Sequence, residues 1–342
     1  MAVDASNALL SWYAVDKRRL PWRTEAGERA DPYRVWLSEV MLQQTTVAAV
    51  RPYFEKFIAR WPNVEALADA PEAEVMAAWA GLGYYARARN LIACARTVAG
   101  AHGGRFPDNE EALRKLPGVG RYTAAAIAAI AFGRRAVVVD ANVERVVSRL
   151  FAVEAPLPGA RETLYELTDS VTPGEGAGDF AQAMMDLGSA ICTPRAPECG
   201  RCPLAPVCQA RARAAQERFP VKAAKAPKPR RTGTAYWLEH DGRVLLVRRP
   251  AKGLLGGMLA LPTEEAPAAA AWREAGAIDH VFTHFALTMR LLCAETDSPP
   301  EGEWHAVERL EEAGLPTLFA RLAARGAEWR ANPPLALGGE GF

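Results

Sequence analysis

Two carboxylates and a tight group of thiols carry most of the chemistry this sequence offers. Glu39 sits in Val35-Trp36-Leu37-Ser38-Glu39-Val40-Met41-Leu42-Gln43-Gln44-Thr45. On a helix its three- and four-residue neighbours are Val35, Trp36, Leu42 and Gln43. Apolar neighbours lift a carboxyl pKa toward neutrality, which suits a general acid, although most glutamates are plain surface residues. Asp140 follows the apolar run Val137-Val138-Val139 and precedes a predicted helix. There it reads as an N-cap held ionised by the helix dipole. An ionised carboxylate is also what a sugar of oxocarbenium character needs beside it.

Cys192, Cys199, Cys202 and Cys208 are spaced C-x6-C-x2-C-x5-C. Zinc sites usually come as separated pairs of cysteines, so one compact run suits a cubane [4Fe-4S] cluster better; zinc and unligated thiols remain the other readings. Cys94 and Cys293 stand alone and read as small buried hydrophobes. Leu116-Pro117-Gly118-Val119-Gly120 forms a glycine-bearing turn ahead of a helix start. Such a turn offers backbone N–H groups to a phosphate, or is simply a helix–helix turn.

Ordinary globular elements must position these groups. Over 342 residues, hydrophobic residues are 50% and charged residues 24%, which excludes a disordered or collagen-like chain and points to more than one domain. No apolar run is long enough for a membrane span, and the N-terminus lacks a basic signal region, so a cytoplasmic, nucleoid-associated protein without membrane contact is expected. The near-neutral total hides an asymmetry. Residues 1–231 carry 31 Lys+Arg against 25 Asp+Glu, and residues 232–342 carry 10 against 15. A basic front part favours a polyanionic partner.

Residues 1–215 read as helical. Asp31-Pro32 opens a helix, and apolar spacing runs from Tyr33 to Arg60. Residues 216–232, rich in proline and basic side chains, predict a stiff exposed linker. Beyond it, Thr234–Glu239 and Val244–Arg249 flank His240-Asp241-Gly242, a hairpin signal, and residues 233–342 read as α+β.

The cysteine loop 192–208 and the hairpin near 113–132 resemble the endonuclease III, helix–hairpin–helix superfamily of DNA glycosylases. The Glu39 string, Leu20-Pro21-Trp22-Arg23 and Gly81-Leu82-Gly83-Tyr84-Tyr85-Ala86-Arg87 resemble its adenine DNA glycosylase family over nearly the whole chain. The resemblance implies a mainly α helix–hairpin–helix glycosylase fold with an iron–sulfur cluster loop, plus a C-terminal α+β Nudix-like domain. It implies that Gly118, Val119 and Gly120 grip the DNA backbone and that Cys192, Cys199, Cys202 and Cys208 hold the [4Fe-4S] cluster. Glu39 would protonate the adenine leaving group, Asp140 would stabilise the sugar cation, and the two would have opposed pKa environments. Asn142 would orient Asp140 or a water. Arg18, Trp22, Arg23 and Gln182 would form the adenine pocket, and Gln43, Gln44, Thr45, Leu82 and Tyr84 would meet the opened helix at the lesion.

Members of the superfamily that also cut the strand carry a lysine where this chain has Tyr122. Tyrosine cannot form a Schiff base, and here it would instead donate a hydrogen bond near the catalytic carboxylate. In residues 233–342 the resemblance implies recognition of 8-oxoguanine by Phe282, Thr283 and His284, with Thr283 in place of the family's serine. Trp272-Arg273-Glu274-Ala275-Gly276 hints at a Nudix box, but the glutamate array that would hold Mg²⁺ is missing, so no pyrophosphate hydrolase activity is expected. The implied partner is double-stranded DNA carrying adenine opposite 8-oxoguanine or guanine, met by a monomer. Two other readings stay open: an endonuclease III-like pyrimidine glycosylase with lyase activity, and a non-catalytic iron–sulfur DNA-binding protein.

Overall fold

The protein is described by a computed structural model that covers residues 2–24, 28–224, 227–250, 253–282 and 284–331. The chain divides into one unit spanning Met1–Ala224 and a second spanning Lys225–Phe342.

The first unit is helical: α1 (Ala2–Asp16), α2 (Pro32–Leu42), α3 (Val47–Arg60), α4 (Val64–Asp69), α5 (Glu72–Trp79), α6 (Ala86–His102), α7 (Glu110–Leu113), α8 (Arg121–Phe132), α9 (Ala141–Leu150), α10 (Arg161–Val171), α11 (Ala177–Ala190) and α12 (Gln209–Ala212). It holds two apolar clusters. One gathers α2 to α6 and α8 around Trp36, Phe54, Phe57 and Trp79. The other gathers α1, α9, α10 and α11 around Leu9, Val143, Leu164 and Leu187. Helices α8 and α11 pack together at the junction, and the half-buried Met185 touches both clusters. Side chains from either cluster can therefore meet in one groove. No helix among the described residues is long and apolar enough to cross a membrane.

Helix α2 lies in the middle of its cluster, with every residue from Val35 to Met41 buried. Pro32 at its first turn and Asp31, which accepts from the Tyr33 amide at 2.9 Å, fix its start. The apolar spacing predicted a continuous helical stretch from Tyr33 to Arg60. The structure breaks it after Leu42: Gln43 leaves the helical region, Gln44 turns left-handed at φ 57°, and Thr46 caps α3 by accepting from the Ala49 amide. Periodicity carries no signal for such a break, because α2 and α3 each keep their own apolar face.

The predicted linker is shorter than 216–232. Phe219 is buried with Ala152 and Ala210, and the Leu157 amide donates to the Val221 carbonyl at 2.8 Å, so these residues belong to the first unit. A strand already begins at Arg230. The second unit is a sheet of β1 (Arg230–His240), β2 (Arg243–Arg248), β3 (Leu259–Ala260), β4 (Arg273–Val281), β5 (Ala286–Glu295) and β6 (Glu303–Ala306), in the order β3-β2-β1-β5-β4 with β6 paired to β2. Helix α13 (Thr317–Ala331) packs on it. The predicted hairpin is present, with Glu239 opposite Val244 across the Asp241-Gly242 turn. Residues 273–276 of the Nudix-box hint lie in strand β4, bulged between Glu274 and Gly276, rather than on a helix. That placement removes even this hint of a carboxylate helix.

Candidate active site

Burial of α2 puts Glu39 where water cannot reach it freely; it is 6% exposed. The Tyr122 hydroxyl, from the first turn of α8, donates to Glu39 Oε2 at 2.6 Å and lies 3.5 Å from Met185 Sδ. Burial drives the Glu39 carboxyl up to about 7. That value is the balance of burial and the nearby Asp140 charge, which raise it, against the Tyr122 hydroxyl and Arg23, which pull it down. Desolvation and the two carboxylates together push the Tyr122 hydroxyl well above its ordinary range, so it stays a donor.

Asp140 caps α9, accepting from the Val143 amide at 2.7 Å and from the Asn142 side-chain amide at 3.0 Å. The two carboxyls were expected to have opposed pKa environments, but burial raises both. They differ in what offsets that burial. Asp140 is met by two amide donors and by the Arg145 charge, Glu39 mainly by one hydroxyl. The group with more donors is the one better held as an anion.

One pocket in the first unit is lined by Glu39, Arg18, Trp22, Arg23, Gln182 and Met185, among others. All four residues expected to form an adenine pocket thus share it with the expected acid. Trp22 is also a core residue, edge-on to Phe54 with ring centroids 5.4 Å apart. Asp140, Asn142 and Tyr122 are not among the lining residues; Tyr122 bonds Glu39, the Asp140 charge acts on it, and Asn142 reaches Asp140.

Several residues that hold this site were not singled out from sequence. Asp186 on α11 is fully buried and accepts from the Arg18 amide at 3.1 Å, from Arg18 Nε at 2.5 Å, and from both terminal nitrogens of Arg23 at 2.5 and 2.7 Å. Arg145 donates to the Cys192 carbonyl at 2.8 Å, to Asn142 Oδ1 at 2.8 Å and to the Gly188 carbonyl at 2.6 Å, which joins the cysteine loop to the Asp140 cap. Gly188 permits this closeness, since a Cβ there would stand 2.6 Å from the Asn142 Cβ. Helical spacing gives no signal for these roles: Asp186 lies three and four residues from Gln182, Ala183, Ser189 and Ala190, and Arg145 from Ala141, Asn142, Ser148 and Arg149.

The other expected contacts divide. Gln43 donates to Thr123 Oγ1 at 3.3 Å, Gln44 is exposed, and Tyr84 is 53% exposed with φ 49°. Thr45 Oγ1 donates to the Gln43 carbonyl and accepts from Arg87. Leu82 is corrected from a lesion-facing residue to a core one: it is 6% exposed and packed in the first apolar cluster. At the hairpin, Gly118 adopts φ 74°, and a Cβ there would lie 2.7 Å from the Asn90 Cβ. Val119 is buried and its amide donates to the Leu116 carbonyl at 3.2 Å, while Gly120 precedes α8 with no side chain capping the helix. In the second unit the Phe282 ring packs at a tilt against His280 and Phe285, with centroids 4.5 and 4.9 Å away, and His284 is exposed. Thr283 lies outside the described residues.

The four clustered cysteines line one cavity together with Arg149 and Arg211. Among the described residues no group of three or more Cys, His, Asp or Glu side chains is drawn close enough for a single metal ion.

Residues 37–173 match the HhH-GPD superfamily of base excision DNA repair proteins, and residues 233–325 match the NUDIX domain. The human adenine DNA glycosylase is 35% identical over 395 residues, covering 92% of this chain and 72% of that protein. The chain belongs to the adenine DNA glycosylase family. The Mycolicibacterium smegmatis member is 41% identical over 196 residues, 57% of this chain and 66% of that one. Among solved structures, a thermostable thymine-DNA glycosylase superposes with a TM-score of 0.55 at 34% identity, covering 61% of this chain and 95% of its own. An endonuclease III–DNA complex shares the fold, with a TM-score of 0.50 at 24% identity over 61% of this chain and 94% of its own. The protein is a DNA glycosylase of base excision repair.

The Tyr122–Glu39 bond makes a signed prediction for this enzyme. A general acid must be protonated, so kcat/KM should fall as pH rises through about 7, the value to which Glu39 is lifted. Tyr122→Phe removes a contact that lowers that pKa, so the alkaline limb should move to higher pH. A profile from about pH 5 to 9 checks this, and a limb that stays in place or moves down contradicts the assignment.

Proposed function

We propose that this glycosylase hydrolyses the N-glycosidic bond of adenine mispaired with 8-oxoguanine or guanine in double-stranded DNA and leaves an abasic site without cutting the strand. The observation that carries this reading is a buried carboxyl lifted to about 7, within a pocket that also holds Trp22, Arg23 and Gln182. The adenine must leave the duplex to reach it, because its glycosidic bond is inaccessible inside the stack. Trp22 supplies an apolar wall, and Gln182 supplies an amide that can both donate and accept at a purine edge. Glu39 delivers its proton to the departing base, Tyr122 holds the carboxyl in place, and Asp140 faces the cationic sugar as the C–N bond lengthens. Water then adds to the sugar, either directly or after a transient bond to Asp140.

Among the described residues lining the pocket there is no lysine. This supports hydrolysis over the lyase chemistry of an endonuclease III-like enzyme. In the second unit, the exposed His284, two residues after the Phe282 ring that packs against His280 and Phe285, supports a role for Phe282, Thr283 and His284 in reading the base opposite the adenine.

Cys192, Cys199, Cys202 and Cys208 would hold a [4Fe-4S] cluster whose role is to shape the loop. Arg149 supports that fit. It is 1% exposed, lines the cysteine cavity and donates to the carbonyls of Cys192, Thr193 and Pro194, yet no carboxylate pairs with it among the described residues. A buried cation so placed calls for an anionic neighbour, which a cluster held by thiolates provides.

The test uses duplexes carrying adenine opposite 8-oxoguanine, guanine and thymine, scored for free adenine and for strand breaks before and after alkali. Adenine release from the first two, with breaks only after alkali, is expected. Strand breaks without alkali together with a borohydride-trapped adduct would establish the lyase reading instead. Failure to release any base would establish the non-catalytic one.

A further inference from the structure

Arg87, on the first turn of α6, has an unusual set of partners. Its NH1 donates to the carbonyls of Val40 at 3.0 Å and Met41 at 2.8 Å, at the end of α2. Its NH2 reaches Thr45 Oγ1 at 3.1 Å and the carbonyls of Leu82 at 3.2 Å and Gly83 at 3.4 Å. The guanidinium also lies 5.3 Å from the Trp79 ring centroid and 5.4 Å from that of Tyr84. Its Nε is buried with no hydrogen-bond partner. Among the described residues no carboxylate pairs with it; carbonyl dipoles, the Thr45 hydroxyl and ring faces meet its charge.

The loops on either side of this guanidinium are both strained. Gln44 stands at φ 57° and Tyr84 at φ 49°, a region that costs a non-glycine residue on the order of 1 kcal/mol. Such conformations persist only where the surroundings over-determine them. One planar fork bridges both loops, which lie some forty residues apart in sequence, and both present exposed side chains, Gln44 and Tyr84.

We propose that Arg87 is a positioning residue that locks the Gln43–Thr45 loop to the Gly81–Tyr85 loop, so that they enter the opened duplex as one rigid wedge. This rests on the base-extruding glycosylase reading above. Two loops held as one body lose less freedom on entering the stack than two loops that must be ordered separately. Lysine cannot replace this bridge, because a point charge lacks the planar fork that addresses both sides at once.

The test places 2-aminopurine at the target position opposite 8-oxoguanine and reads its fluorescence at saturating protein, in a Glu39→Gln background that binds without cleaving. Arg87→Lys is expected to lower the extrusion equilibrium by about tenfold, the size of one lost charge-assisted hydrogen bond, with the duplex Kd little changed. Thr45→Val removes one contact on one side only and guards against a folding artefact; it should shift extrusion the same way by a smaller factor. Parent-level extrusion in either variant overturns the role of Arg87 and leaves the glycosylase reading intact. No fluorescence rise even in the parent overturns both.

Discussion

Glu39→Gln is expected to slow adenine release by about 10²–10⁴-fold, the usual contribution of a general acid, while duplex binding survives. Glutamine fills the same space beside Tyr122 and Trp22 but has no proton to give. The same substitution should stabilise the free protein at alkaline pH. The folded-state pKa of Glu39 is about 7 against an ordinary 4.5, so the carboxyl favours the folded state below the lower value and loses that advantage as pH rises through the upper one. By about pH 8 the native protein holds a desolvated anion, a penalty of roughly 3 kcal/mol that glutamine removes. Single-turnover release and denaturant melts at about pH 5 and pH 8 check both halves. Parent-like release, or a variant less stable than the parent at the higher pH, would contradict the assignment of Glu39 as a buried acid.

Asp186→Asn should damage the enzyme without touching either reacting carboxyl. Asp186 is a fully buried anion that gathers Arg18 and Arg23 into the pocket wall. Removing one partner of a buried ion pair leaves uncompensated charge and typically costs about 3–5 kcal/mol. Asparagine keeps one acceptor but turns an N–H toward the guanidinium groups. There is also a consequence for the chemistry. Arg23 already lowers the Glu39 pKa, and Asp186 offsets the Arg23 charge. Without that offset the Glu39 carboxyl should titrate lower, and the alkaline limb of kcat/KM should shift to lower pH, opposite to the shift expected for Tyr122→Phe. A denaturant midpoint equal to the parent's, together with an unmoved limb, would show that Asp186 is a bystander.

The contrast between Glu39 and Asp186 shows what kind of residue is legible in sequence. Glu39 sits within its own helix among apolar neighbours, so its raised pKa could be argued from spacing alone. Asp186 has no comparable local signature; its partners lie more than 160 positions earlier. Arg145, Arg149 and Arg87 are similar cases. Each is an ordinary basic residue on a helix until the fold brings carbonyls from other segments around it. Leu82 went the other way, because a motif shared with a family marks a segment and leaves open which side chain of that segment faces outward.

Local pattern therefore determined the helical first unit and the sheet-bearing second one, the Asp31-Pro32 and Asp140 helix starts, the Asp241-Gly242 turn and the cysteine run, since each depends on interactions within a few residues. Only the tertiary structure decided that Glu39 and Tyr122 touch, that Asp186 anchors the pocket wall, and that the run from Tyr33 to Arg60 breaks at Gln43. The first two outcomes rest on which buried polar groups find partners on helices distant in sequence, and pairing over such distances leaves no trace in residue spacing; the third is hidden because α2 and α3 each keep an apolar face of their own.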